Sequence, residues 1–291
     1  MEGQNIPAAD FAIIQGSGTF DITFPEDVNL AGISIEARRL EFQTPYGLSS
    51  QFKLVKGSGS HTDDGKDRYA LTVPFHGWRP DADNRFASEQ IYWVFRESGV
   101  KRVLVEGSVG SVNILLDPKD IVIPTDFIDF TKRTSPFFSG YGPILRMKQP
   151  TCPEIRKAFL KYCRDEGRAR VFPRGVYGVT EVMEGPRFES PAEVRMLQIL
   201  GADIVGQSLV PEVYLARAIG ACYAGIYAIS NYGEGIQDWE DEEFYGNYPD
   251  YGVFLGRVLL KTFLSLPTTD TGCKCSKYRS EVPEKFLGYL E

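Results

Sequence analysis

Between Val103 and Ile229 the chain alternates short apolar runs with capped helical segments, and this restricts the fold more than any other feature. Val103-Leu104-Val105, Asp203 to Gly206 and Ala221 to Ile229 read as strands, and Pro211 to Ile219 reads as a helix between the last two. A strand that is apolar on both faces has to be covered on both. Strand, helix, strand at this spacing therefore implies a parallel, covered sheet. The helix boundaries are equally explicit. Ser190-Pro191-Ala192-Glu193 combines a capping serine, a proline at the first helical position and a glutamate three residues after the cap, and predicts a helix to about Leu200 ahead of Gly201.

The rest of the chain is consistent with that frame. Asp10 to Ile14 is a buried strand running into the glycine turn Gly16-Ser17-Gly18, and Phe20 to Val73 is strand-rich, with a polar hairpin tip from Gly57 to Lys66. Phe86 to Ser98 puts Phe86, Ile91, Val94 and Phe95 near one helical face, with Gly99 as the stop. Asp120 to Phe130 contains a strand, Pro153 opens a helix that ends at Gly167, and Tyr251 to Leu266 is a closing amphipathic helix. No Pro/Ser-rich or charge-run linker interrupts the sequence. The expectation is a single α/β domain over residues 1–291, with a central mixed, partly parallel sheet flanked by helices.

Charge and composition exclude several classes of function. A net charge of -7 and a pI near 5.1 argue against a nucleic-acid binder, which needs a basic stripe to neutralise phosphates. Met1 to Asp10 lacks the basic and apolar regions of a secretion signal, and no apolar run reaches the roughly 18 residues of a membrane span. The expected location is cytoplasmic. The five cysteines then read as reduced thiols, with Cys152, Cys163 and Cys222 in the core. Cys273 and Cys275 form a C-x-C, taken as a thiol pair or a local disulfide. A zinc site would want a second pair of ligands at suitable spacing, and the histidines, His61 and His76, lie far upstream.

Ligands of open α/β sheets bind at the carboxyl ends of the strands. Four segments fit that rule: the glycine turns Gly16 to Gly18 and Gly107 to Ser111, then Gln207 to Ser208 and Asn231 to Gly235. A dinucleotide turn at Gly16 is disfavoured. The third glycine of the fingerprint is missing, and Thr19 to Phe24 alternates like a strand instead of opening a helix.

Three stretches then name a chemistry: Glu184-Gly185-Pro186-Arg187-Phe188-Glu189, Gly201 to Glu212 (GADIVGQSLVPE), and Ile229-Ser230-Asn231. In order and spacing they resemble the trimeric purine nucleoside phosphorylases and 5'-methylthioadenosine phosphorylases, with weaker echoes at Ile13 to Thr19, Val103 to Ser111 and Asp120 to Asp129. The resemblance implies reversible phosphorolysis of a purine nucleoside, with inorganic phosphate as co-substrate and neither a metal nor an organic cofactor. It places Phe188 on the purine face, Glu189 at the N1 edge, and Asn231 at N7 and O6. A carboxylate acceptor and an amide donor match the lactam edge of a 6-oxopurine, whereas adenine presents the opposite pattern. Glu189 at a helix mouth and Asn231 as a turn residue after a strand are the alternatives that local structure alone offers.

The anion and sugar sites depart from the family pattern. The resemblance assigns Gly16, Ser17, His76, Ser108 and Ser208 to phosphate, but the arginine that usually precedes the histidine is replaced by Phe75, leaving Arg79 or Arg85 as substitutes. Gln207 stands where a methionine usually lies below the ribose, so sugar specificity, including a 5'-methylthio group, is open. The resemblance also implies a homotrimer, with Phe137 and Phe138 near the subunit interface. The lost arginine leaves a purine-binding or hydrolytic homologue as the alternative function.

Overall fold

A computed structural model describes residues 5–80, 82–131, 143–180, 187–240, 251–268 and 272–281. Its frame is an eleven-stranded sheet. The strands, in chain order, are β1 (Phe11–Ile14), β2 (Ile33–Leu40), β3 (Phe52–Gly57), β4 (Arg68–Val73), β5 (Arg102–Ser111), β6 (Ile121–Val122), β7 (Asp126–Asp129), β8 (Val171–Phe172), β9 (Val176–Val179), β10 (Ile204–Val205) and β11 (Cys222–Tyr232). The main path runs β8-β6-β11-β5-β1-β4-β3-β2, while β10 joins the end of β5 and carries β9 and then β7. The centre is parallel, since β1 pairs in parallel with β4 and β5, and β11 with β5. The edge formed by β2, β3 and β4 is antiparallel.

Burial explains why the central strands carry almost no polar residues in their first halves. On one face Val103, Val105, Ala12 and Ile14 pack with Ile91, Val94 and Phe95 of α1 (Ala87–Ser98) and Val213 and Leu215 of α4 (Leu209–Ala218). On the other, Leu104, Phe11 and Ile13 meet Ile155 and Phe159 of α2 (Pro153–Asp165) and Leu255, Leu259 and Phe263 of α5 (Gly252–Ser265). At roughly 1.5–3 kcal/mol for each large apolar side chain buried, these layers supply most of the driving force for the fold. The last helix, α3 (Pro191–Ile199), starts with the full capping box that its sequence predicts: Glu193 N donates to Ser190 Oγ and Ser190 N to Glu193 Oε2.

Four local expectations need correction. Thr19 to Phe24 is not a strand: its start is a 3-10 turn, held because the Thr19 hydroxyl donates to Glu106 and Ile22 N to Thr19 O. Gly107 to Ser111 is not a turn, because β5 continues to Ser111 with β11 hydrogen-bonded alongside. Asp120 to Phe130 holds two short strands rather than one. Finally, β10, α4 and β11 do not form a parallel pair, since β10 runs antiparallel to β5 whereas β11 runs parallel to it.

Candidate active site

The late strands bring one row of residues into register across four strands. Gly178 of β9 pairs with Val205 of β10, Val205 with Gly110 of β5, and Gly110 with Asn231 of β11. Three interstrand spacings make that row about 14 Å long, enough to underlie a purine. Residues in register share a face, and this face carries α3. A Cβ on Gly178 would lie 2.8 Å from Leu197, and one on Gly233 would lie 3.2 Å from Val194. The segment that enters α3, Arg187 to Ser190, therefore lies over the same edge of the sheet.

Asn231 sits at the only register shift in the β5–β11 pairing, between Ile229 and Asn231. It belongs to the strand and is not a turn residue beyond it. Its Oδ1 accepts from Ser230 Oγ at 2.9 Å and its Nδ2 donates to Tyr232 O at 2.8 Å, which leaves one amide hydrogen for a ligand. Glu189 is 5% exposed and accepts from Thr180 Oγ1, just beyond β9, at 3.2 Å. Burial raises its carboxyl above the ordinary 4.5, against the lowering effect of its own backbone and the Thr180 hydroxyl. Phe188 is 52% exposed and meets Trp239 edge-on at 5.4 Å. Gln207 Nε2 donates to Arg187 O at 2.6 Å, tying the β10 loop to the Phe188–Glu189 segment.

The second cluster lies at the carboxyl ends of β1, β4 and β5. Ser17 Oγ and Ser108 Oγ are hydrogen-bonded, and Ser108 N donates to Ser17 Oγ at 3.3 Å. His76 N donates to Gln15 O at 2.9 Å. Gly16 has to be glycine here, since a Cβ would lie 2.5 Å from Glu106 O and 2.7 Å from His76 Nε2. Gly16, Ser17, His76 and Ser108 thus come together as expected. Ser208 sits one residue before α4, the helix that supplies Glu212 to the same cluster.

Two carboxylates at this cluster have no role in the sequence reading. Glu106 is fully buried in β5 and accepts from Gly16 N and Thr19 Oγ1, at 2.5 and 2.7 Å. Burial drives its pKa above the ordinary 4.5, although bonds from Thr19 and Gly16 and the field of His76 pull the other way. Glu212, 1% exposed, accepts from His76 Nδ1 at 2.7 Å and from the Tyr223 hydroxyl at 3.2 Å. Burial disfavours the His76 imidazolium, but Glu212 and then Glu106 outweigh it, and its pKa is raised above the ordinary 6.5. The sequence did hold a signal for Glu106, a lone charge inside an otherwise apolar buried strand immediately before a glycine.

The substitutes proposed for the missing arginine are engaged elsewhere. Arg79 donates to the carbonyls of Ser49 and Leu48 at 3.0 and 2.9 Å, and Arg85 forms a fork with the Asp83 carboxylate. Phe75, in the arginine's place, meets Phe20 edge-on at 6.0 Å. Phe137 and Phe138 lie outside the described residues, as do Glu184 to Pro186.

Comparison with known proteins agrees with this geometry. Residues 84–265 match the family model described as the phosphorylase superfamily. A probable S-methyl-5'-thioinosine phosphorylase of Methanopyrus kandleri is 45% identical over 70% of this chain and 75% of its own length. A 6-oxopurine nucleoside phosphorylase of Pyrococcus furiosus is 35% identical over 77% of this chain and 80% of its own. The crystal structure of a methylthioadenosine phosphorylase from an antarctic soil metagenomic library superposes with a TM-score of 0.73 at 21% identity, covering 96% of this chain and 94% of that one, and so shares the fold. The chain belongs to the phosphorylase superfamily, in the branch that holds the purine nucleoside and 5'-methylthioadenosine phosphorylases.

Proposed function

We propose that this protein carries out reversible phosphorolysis of a 6-oxopurine nucleoside, 5'-methylthio sugars included, to free base and a ribose 1-phosphate. The observation that carries the reading is the row ending at Asn231, roofed by the segment that holds Phe188 and Glu189. A lactam NH at N1 donates to the Glu189 carboxylate, and the free Asn231 amide hydrogen meets the acceptor edge at N7 and O6. As a phosphate oxygen bonds to C1', the C1'–N9 bond breaks and its electron pair passes to the purine. Charge grows at the atoms that Asn231 faces, so its bond strengthens as the base departs. Ser17, Ser108 and Ser208 supply neutral donors for phosphate, with the Gly16 N–H held by Glu106, and His76, whose pKa Glu212 raises, supplies the cation. Gln207 acts on the sugar through the backbone of Arg187. The reading includes a cytoplasmic homotrimer and no organic cofactor.

Glu106 favours a second reading. A buried carboxylate beside the phosphate donors repels a dianion and is placed to take a proton from water, which would make the reaction hydrolytic. Base release from inosine, guanosine, 5'-methylthioinosine and 5'-methylthioadenosine, with and without phosphate, decides. Release from the oxopurines only when phosphate is present is the expected result. Release at the same rate in its absence would transfer the assignment to hydrolysis.

A further inference from the structure

At the opposite end of β11 from Asn231, four of the five cysteines converge. The Sγ atoms of Cys152, Cys222, Cys273 and Cys275 all lie within 4.8 Å of one another, and Cys222 and Cys273 are 3.4 Å apart. Three are buried to 1% exposure or less, with Cys273 partly exposed. They come from three places in the chain. Cys152 immediately precedes α2, Cys222 opens β11, and Cys273 and Cys275 lie in the segment after α5. The C-x-C thus finds the second pair that its sequence neighbourhood lacks.

We propose that these four thiolates bind one zinc ion in a tetrahedral site that fastens the C-terminal segment to the base of the sheet. Sulfurs placed tetrahedrally at about 2.3 Å from zinc are about 3.8 Å apart, so the observed cluster needs only small side-chain adjustments to close on the ion. The backbone is already held in place. Cys152 N donates to Tyr223 O at 2.7 Å, Cys222 N to Lys101 O at 2.8 Å, and Cys273 N to a Glu154 carboxylate oxygen at 3.0 Å.

The surroundings suit the charge of such a centre. Four thiols lose their protons as four Zn–S bonds form, leaving a double negative charge with no change of oxidation state. Arg102 acts electrostatically on Cys152 and Cys222, Arg156 on Cys152 and Cys275, and Arg217 on all three. Arg102 is also paired with Glu154 at 2.9 Å, and Arg217 donates to Cys275 O at 3.4 Å. Three cations less one carboxylate nearly cancel the two charges. Two of these arginines, Arg102 and Arg217, are almost fully buried beside the cluster.

The site is independent of the catalytic reading and is tested without an activity assay. The chain, purified under reducing conditions with no added metal, should carry about one zinc per chain by elemental analysis. Zinc should be lost from Cys152→Ser and Cys275→Ser and kept by Cys163→Ser, whose thiol is buried outside the cluster. Because a buried serine can cost the fold, the unaltered chain is also titrated with a mercurial, and about four thiols should be consumed per zinc released. Cobalt added to the stripped protein should give the visible bands of tetrahedral sulfur coordination. Metal-free protein with all thiols alkylatable, or disulfides among these four cysteines by mass spectrometry, would overturn the proposal.

Discussion

The two halves of the candidate active site are built from the same sheet edge yet differ in kind. On the base side, Glu189 is held by Thr180, and Asn231 by Ser230 and the backbone of Tyr232. On the anion side the hydroxyls of Ser17 and Ser108 are present, but the Gly16 N–H is taken by a buried glutamate, and the basic side chain in contact among the described residues is a histidine already paired with Glu212. The base half can be specific with neutral groups alone, because hydrogen-bond polarity distinguishes one purine from another. The anion half has to offset charge with charge, so a single carboxylate alters its chemistry. In the proposed site the base preference thus rests on hydrogen-bond polarity, whereas the nucleophile depends on one residue.

Four measurements would break or sharpen that contrast. The largest effect is expected on the base side: Asn231→Ala should lower kcat by about 10²–10³-fold, with a smaller change in KM. An unaltered kcat would remove Asn231 from the chemistry. On the anion side, Glu106→Gln deletes a buried negative charge while keeping the shape, and should lower the KM for phosphate about ten-fold or more. Loss of phosphate-independent base release in this variant would instead identify Glu106 as the base that activates water.

The third measurement concerns protons. His76 and Glu106 both have folded-state pKa values raised above their ordinary 6.5 and 4.5, so each binds protons more tightly in the folded chain. The stability this provides is complete below the unfolded-state values and is lost as pH rises through the folded-state ones. Denaturant unfolding should therefore show stability falling as pH rises above 6.5 through the His76 range, and Glu212→Gln should flatten that fall. A flat profile in the unaltered protein would show that the His76–Glu212 contact carries no net proton linkage. The smallest effect is expected from Gln207→Met, which removes one hydrogen bond to Arg187 O and should reduce kcat/KM for the nucleoside about three-fold. A hundred-fold loss would mean that Gln207 binds the sugar directly.

Much of this architecture was legible from residue order. The capping box at Ser190, the glycine stop at Gly99, and the apolar runs of β1 and β11 each fix a local conformation by short-range physics, and the structure follows them closely. Errors arose where a local signal was overruled from a distance. Glycines at 107 and 110 suggested a turn, but β11 alongside supplies hydrogen bonds that keep β5 extended. Alternation in Thr19 to Phe24 suggested a strand, but Glu106, 87 residues away in sequence, captures the Thr19 hydroxyl.

Sequence alone determined the class of fold, the family motifs and the donor and acceptor types of the base site, because periodicity, caps and side-chain chemistry are properties of short segments. Only tertiary structure decided that a glutamate takes the Gly16 N–H and the Thr19 hydroxyl, that Arg79 and Arg85 are bound elsewhere, and that cysteines 152 and 222 meet the distant C-x-C. The Arg85–Asp83 pair excepted, those are contacts between residues tens of positions or more apart. Their formation depends on how strands pair and layers pack, and no local pattern records it.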